Sequence, residues 1–481
     1  MRVPRLSVAA LAILIGFGQA SGAQVSPSGA EEIQRNLTRF IPADLVKAGL
    51  FTVQAAASVY ELRFDPAPLL ARTDAEKVTL SGVKPMVGYL KPLDSGLYEF
   101  RTDQNLDIKG HVAAGADSVS FSYLIDTLKM EGIFDPAISY FQSANWSARG
   151  ARLTSRTDKQ VVEAEFGEIA MNLASVKASP DTLDITTSGV FKAFSENITD
   201  PQTGRVQIAA DTVNIDVSLE GARHRAFRDL VYFLLGNMSK DALGPSEADS
   251  LKEILRASLP GFDNLLETIT ANNVNVETPQ GDFGARKIAY TLDMNGISKS
   301  TRFGFGVSVE EPRPPETLPA NFLPAVPRTA DVKLAITDLD LEGAARYLLD
   351  NADFTVGKPL SDEQNKALGN IILPDGSMTV ELENVSALSD IYDVTLTGRI
   401  KIYPEQQGRQ NVDVTIVARD FDKTVGFLQA NTATVPQFGQ AAFMLLMIKG
   451  IAKDQGDGSQ RWDVVVGEDG KVLVNGNPLP F

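Results

Sequence analysis

Strict alternation of apolar and polar residues runs through most of this chain, and it restricts the fold more than any other feature. Tyr392, Val394, Leu396, Gly398, Ile400 and Ile402 fall on one side of a segment; Phe303, Phe305, Val307 and Val309 repeat the pattern; Val119, Phe121, Tyr123 and Ile125 oppose Ser118, Ser120 and Ser122. A period of two sends successive side chains to opposite faces, so each segment reads as a strand with one apolar and one polar face. Such strands build antiparallel sheet; the doubly buried strands of parallel nucleotide-binding folds read as continuous apolar runs. Turn pairs at Asn295-Gly296, Asp375-Gly376, Asp469-Gly470 and Asn475-Gly476 supply the positive φ that tight hairpins need. The pattern predicts a β-rich α+β protein: long curved antiparallel sheets with short helices packed on one face.

Helical periodicity interrupts the strands near Ala30–Phe40, Ala222–Asn237, Glu247–Ser258, Ala344–Leu349, Lys423–Gln429 and Gln440–Ile451. A related unit recurs. Val213, Ile215, Val217 and Leu219 alternate and lead through Leu219-Glu220-Gly221-Ala222 into a helix. Val332, Leu334 and Ile336 lead through Leu341-Glu342-Gly343-Ala344 into another, and Val412, Val414 and Ile416 lead through Asp420-Phe421-Asp422 into a third. A short helix with an apolar stripe buries it by folding back on the sheet. Prolines 312, 314, 315, 319, 324 and 327 crowd one stretch, which reads as a stiff linker or an edge-hugging connection. The expected organisation is a leader over 1–23, a β-rich domain over 24–310, a proline-rich linker over 311–330 and a second β-rich domain over 331–481.

The leader is expected from Arg2 and Arg5, an apolar run from Leu6 to Phe17, and small residues at Ser21, Gly22 and Ala23. These are the parts of a secretory signal peptide, with cleavage placed after Ala23. The apolar run is well short of the roughly 20 residues that span a bilayer, so no membrane span is expected after cleavage. The 481 residues contain no cysteine, which excludes disulfides, thiolate metal sites, thiol nucleophiles and a lipidated cysteine anchor. An exported protein without cysteine fits the periplasm of a Gram-negative bacterium. A formal charge of −16 argues against nucleic acid and against electrostatic docking on anionic membrane.

Catalytic and metal signatures are weak. The chain lacks a Gly-x-Ser-x-Gly elbow, a phosphate-cradling P-loop and a His-Glu-x-x-His helix. Asp338-Leu339-Asp340-Leu341-Glu342-Gly343 imitates the first half of a calcium loop, but the twelfth position is Leu349, where a bidentate carboxylate belongs. Glu163 and Glu165 share a strand face at a spacing glycosidases use, and read as a solvated face. His111 stands alone. His224, in Arg223-His224-Arg225 at a helix start, reads either as a solvent-facing first turn or as a spot for an anionic head group. Gly304-Phe305-Gly306 lies in an alternating strand, where its glycines flatten one face or mark a bulge. No catalytic residue, metal ligand or cofactor is assigned.

Two helices carry the functional hint. Ala441–Ile448 is apolar all round, and Leu230–Leu235 is nearly so. A helix apolar on every side is either buried or in contact with lipid. Phe227, Leu230, Phe233, Leu234, Phe443, Leu446 and Met447 are therefore the expected contacts of a hydrophobic ligand. The implied partners are a lipid or acyl chain, with an envelope protein paired at a sheet edge as the alternative. A carboxylate-dependent hydrolase is the third reading.

The closing run carries a resemblance. Arg461-Trp462-Asp463-Val464-Val465-Val466, Gly467-Glu468-Asp469-Gly470 and Lys471-Val472-Leu473-Val474-Asn475-Gly476-Asn477-Pro478-Leu479 resemble the C-terminal signature of a domain-of-unknown-function family of proteobacterial periplasmic proteins. Those proteins are loosely similar in pattern to AsmA-like envelope proteins. That resemblance implies a curved β-groove associated with lipid movement, and it carries over no catalytic residue.

Overall fold

The computed structural model describes residues 24–39, 41–71, 78–114, 117–202, 204–237, 242–356, 358–406 and 409–478. The leader with Ala23, and Leu479 of the closing run, lie outside them. The chain is strand-rich, with twenty-one strands among the described residues that pair antiparallel with their neighbours. It divides into two compact units, residues 1–191 with 221–258, and residues 192–220 with 259–481.

The first unit opens with helix α1 (Pro27–Thr38), where Ser26 caps the helix by accepting from the Gly29 amide and Pro27 stands in the first turn. After α2 (Ala43–Lys47) come β1 (Phe51–Ala56), β2 (Val59–Phe64), α3 (Ala67–Leu70), β3 (Val78–Ser81) and β4 (Met86–Pro92). Four long strands follow: β5 (Tyr98–Ala114), β6 (Asp117–Asp135), β7 (Tyr140–Arg156) and β8 (Val161–Lys177). The pairing order is β1–β2–β4–β5–β6–β7–β8, with β3 beside the far end of β5. The apolar stripe of α1 (Ala30, Ile33, Leu37) packs on Phe51, Val53, Leu62, Leu90 and Phe134 to form a closed core. A smaller cluster surrounds Ala148, Ala151 and Ile169. Strands β9 (Leu183–Asp200) and β10 (Gly204–Ala222) carry the chain to the second unit and back; α4 (His224–Asn237) and α5 (Pro245–Ser258) belong to the first.

The second unit continues with β11 (Asn264–Glu277), β12 (Phe283–Met294), β13 (Thr301–Arg313), β14 (Thr329–Leu339), α6 (Leu341–Asn351) and α7 (Asp362–Ile372). Then come β15 (Met378–Leu388), β16 (Asp393–Ile402), β17 (Gln410–Arg419), α8 (Phe421–Ala430) and α9 (Gln437–Lys449). Short strands β18 (Lys453–Asp454), β19 (Gln460–Val466), β20 (Val472–Val474) and β21 (Asn477–Pro478) close it. From β10 each strand pairs with the next through β17, which pairs with β19, then β20 and β21. The proline-rich stretch takes the form of a connection within this sheet: β13 and β14 pair up to Glu310 opposite Thr329 on either side of it. A short 3-10 turn at Ala320–Ala325 fills the span, because proline cannot extend the ladder.

Strands β10, β14 and β17 are each followed by a pair of helices in mutual contact: α4 with α5, α6 with α7, and α8 with α9. The shared Leu-Glu-Gly-Ala does not mark equivalent positions. Its first copy ends β10, whereas its second forms the first turn of α6, capped by Asp340 accepting from the Gly343 amide at 2.7 Å. Asp469-Gly470 and Asn475-Gly476 turn hairpins as expected. Asp375-Gly376 instead joins α7 to β15, because the same positive-φ glycine serves a helix-to-strand turn equally well.

Candidate functional site: an open apolar sheet face

The register of the second unit aligns its alternating residues into rows. One row runs Ile215, Ile269, Tyr290, Val307, Val332, Val385, Leu396, Ile416 and Trp462, each directly opposite the next. The next runs Leu292, Phe305, Leu334, Leu382, Gly398, Val414, Val464 and Val474. A third runs Met294, Phe303, Ile336, Val380, Ile400, Val412, Val466 and Val472. Period-two geometry puts all three rows on one face. Strand spacing and residue repeat give this face dimensions on the order of 40 Å across the strands and 20 Å along them. Gly398, at φ 150°, interrupts the second row because a Cβ there would meet the Asp413 carbonyl of β17.

The face is not sealed. Most of its side chains are only half-buried, and Phe303, Phe305 and Val332 are exposed. Val414, Trp462 and Val474 are buried, on the strands beside which α8 and α9 attach. The Phe421 ring lies 5.5 Å from that of Trp462, and the Trp462 indole donates to the Ile448 carbonyl at 2.9 Å. Asn475 donates to the Ile451 carbonyl at 2.7 Å, tying the end of α9 to the β20–β21 turn. Phe322 of the 3-10 turn meets Phe427 and Phe438, and Asn321 donates to Asn431 at 2.6 Å. The helix pair is thus pinned between the proline-rich connection and the end of the sheet.

The opposite face carries charge. Arg302 pairs with Asp293 and Glu383; Lys333 reaches Glu383 at 3.0 Å, and Arg399 reaches Glu381 at 3.2 Å. Partial burial works against Glu383, but hydrogen bonds from Lys333 and Arg302 hold its carboxyl below the ordinary value. A Cβ at Gly304 would occupy the place of the Asp293 carboxylate, so that glycine makes room for the ion cluster. Further along, Asp463 sits at about 2, chiefly through a hydrogen bond from Lys453, with Arg461 and Thr415 adding to it.

Helix α9 adds an apolar surface of its own. Phe443 is 62% exposed, and Met444, Leu446, Met447, Ile448 and Ile451 are exposed with it; Ala442 is the buried residue of this helix. On α4, Phe227, Val231 and Leu234 form an exposed stripe at i, i+4 and i+7, while Leu230 and Phe233 are half-buried. The ligand residues expected from the sequence therefore fall on separate units, Phe227, Leu230, Phe233 and Leu234 on the first and Phe443, Leu446 and Met447 on the second. The sheet rows, the larger surface, were missed as a site. Their alternation was visible, but only the register shows that the apolar positions align.

The remaining chemical motifs take structural places. Asp340 caps α6, and Glu342 pairs with Arg346 at 2.8 Å. Glu163 and Glu165 are exposed on β8 opposite Thr154 and Arg152, and His111 meets Ser120 at 3.0 Å. No cluster of metal-binding side chains occurs among the described residues. His224 departs from the solvent-facing reading: it is only 6% exposed, and burial comes first among the causes that lower its pKa, followed by Arg225 and Arg228. Asp181 pulls weakly the other way.

These features define a strand-rich antiparallel protein with one charged sheet face and one open apolar face. No protein-family model matches the chain, and no curated protein or solved structure matches it. No helix among the described residues is long and apolar enough to cross a membrane.

Proposed function

We propose that this is a non-enzymatic periplasmic protein of the cell envelope that binds or shields a hydrophobic, lipid-like ligand. The observation that carries the reading is the three-row apolar face of the second unit. Phe303, Phe305 and Val332 are exposed on it and most of its other side chains are only half-buried, and contiguous exposed apolar surface of this kind marks an interaction site on a soluble protein. Acyl chains suit such a face because they demand no hydrogen bonds from it. In this reading the sheet curves about the ligand, and α8 and α9 close over one end of the same face. Phe443, Leu446 and Met447 extend the apolar path outward, with methionine adapting to chains of varied shape. Phe227, Leu230, Phe233 and Leu234 offer a second apolar surface on the first unit. The acidic charge is consistent with a ligand held through apolar contact rather than electrostatic attraction.

Mass spectrometry of solvent extracts from the purified protein tests the reading. Acyl-bearing lipids should be released from the native protein and be lost when Phe305→Asp and Leu334→Asp are combined. A lipid-free preparation that also fails to bind an apolar fluorescent probe would sink it.

A further inference from the structure

The start of α4 holds polar atoms for which the described residues supply no partner. Neither ring nitrogen of His224 makes a well-formed hydrogen bond among the described residues, the Asp181 backbone giving the imidazole only a weak contact, and Arg223 Nε is likewise buried and unpaired. His224 is the first residue of a fourteen-residue helix and is more than nine-tenths buried. Leaving a buried polar atom unpaired costs roughly 1–3 kcal/mol, so a site that concentrates three of them gains by acquiring a partner.

The chemistry of that partner follows from the surroundings. The Phe227 amide makes the first helical bond, to the Arg223 carbonyl, so the amides before it point out of the helix end and favour negative charge. The other cations nearby are engaged: Arg225 holds Asp181 at 3.2 Å, and Arg228 holds Asp229 at 2.8 Å. Among the described residues Arg223 has no such carboxylate. Its Nε–H and a ring N–H of neutral His224 are donors that suit a compact group with several acceptor oxygens.

We infer that the start of α4 is a binding site for a phosphate-type oxyanion, held by Arg223, His224 and the free amides of the helix. The unpaired atoms are buried in this state. The site lies wholly in the first unit and stands independently of the apolar face of the second.

Only two histidines occur in the chain, so imidazole nuclear magnetic resonance reads the site directly in the intact protein, with His111 as internal control. Inorganic phosphate should move the His224 signals and raise its apparent pKa while leaving His111 in place. Arg223→Gln should weaken that response about tenfold, the loss of one charge-assisted hydrogen bond, and Arg223→Lys should restore part of it. Phosphatidylcholine vesicles with and without phosphatidic acid separate a lipid-borne phosphate from a free one. A response to phosphatidic acid but not inorganic phosphate assigns the site to a head group; the reverse assigns it to a free anion. Signals unmoved by either probe, or moving equally at His111, would overturn the inference and leave a buried water as the partner. Lipid extraction through Phe305 and Leu334 is read separately, so either proposal can fail alone.

Discussion

The two units treat their apolar sheet faces differently. In the first, α1 packs on β1, and Phe134 and Leu90 are fully buried in the core cluster that includes its apolar stripe. In the second, three rows of apolar residues have no comparable cover, and Phe305 remains 37% exposed. Both faces are apolar, the first richer in aromatic residues and the second in Val, Ile and Leu. A helix laid across the sheet closes one face; helix pairs attached near strand ends leave the other open. Burial in the first therefore goes chiefly into stability, and half-burial in the second leaves transfer free energy for a ligand to recover.

Substitutions at matched phenylalanines should break this contrast most sharply. Phe134→Ala should cost about 3–5 kcal/mol in urea unfolding, and Phe305→Ala about 1 kcal/mol, since much of its surface is already wet. Equal losses would show that the second face is as closed as the first.

Acid should weaken the two units through different groups and over different ranges. His224 has a folded pKa below its ordinary 6.5, so the unfolded chain takes up the proton first and stability falls as pH drops below that value. His224→Gln should flatten this part of the profile. Asp463, held at about 2 against an ordinary 3.8, stabilises above the higher value, and its contribution is lost as pH falls toward 2. Asp463→Asn should remove that later loss. Thermal melts across the acid range read both, and a profile unchanged by either variant would contradict the assignment.

Smaller effects sharpen the picture at the helix pairs. Ser361→Ala removes one half of the reciprocal cap that starts α7 and should cost about 1 kcal/mol by chemical denaturation. Phe443→Ser on α9 should change stability by no more than about 0.5 kcal/mol, while lowering the fluorescence of a bound apolar dye. A large loss of stability would mean that α9 packs into a core.

Much of the secondary structure was legible, and the residues explain where legibility stopped. Segments with strong period-two alternation, such as Phe303–Val309, became strands, and α1, α4, α5, α6, α8 and α9 form near the places their periodicity indicated. Helix α7 escaped notice, although Ser361 and Gln364 spell a capping box. His224 misled because flanking arginines suggest solvent, whereas tertiary packing buries the ring. The repeated Leu-Glu-Gly-Ala misled as well, since four residues cannot say whether a strand is ending or a helix beginning.

Local pattern by itself determined that this chain makes one-faced strands, where many of its hairpins turn, and which helices are too apolar to be ordinary surface. Those properties depend on neighbours two to four residues apart. The tertiary structure alone decided that the apolar positions of neighbouring strands align in rows, that α1 packs on one face, and that Arg223 Nε and the His224 ring are buried without partners among the described residues. Each depends on strand register or on packing between distant segments, where a shift of one residue would turn every side chain of a strand to the other face.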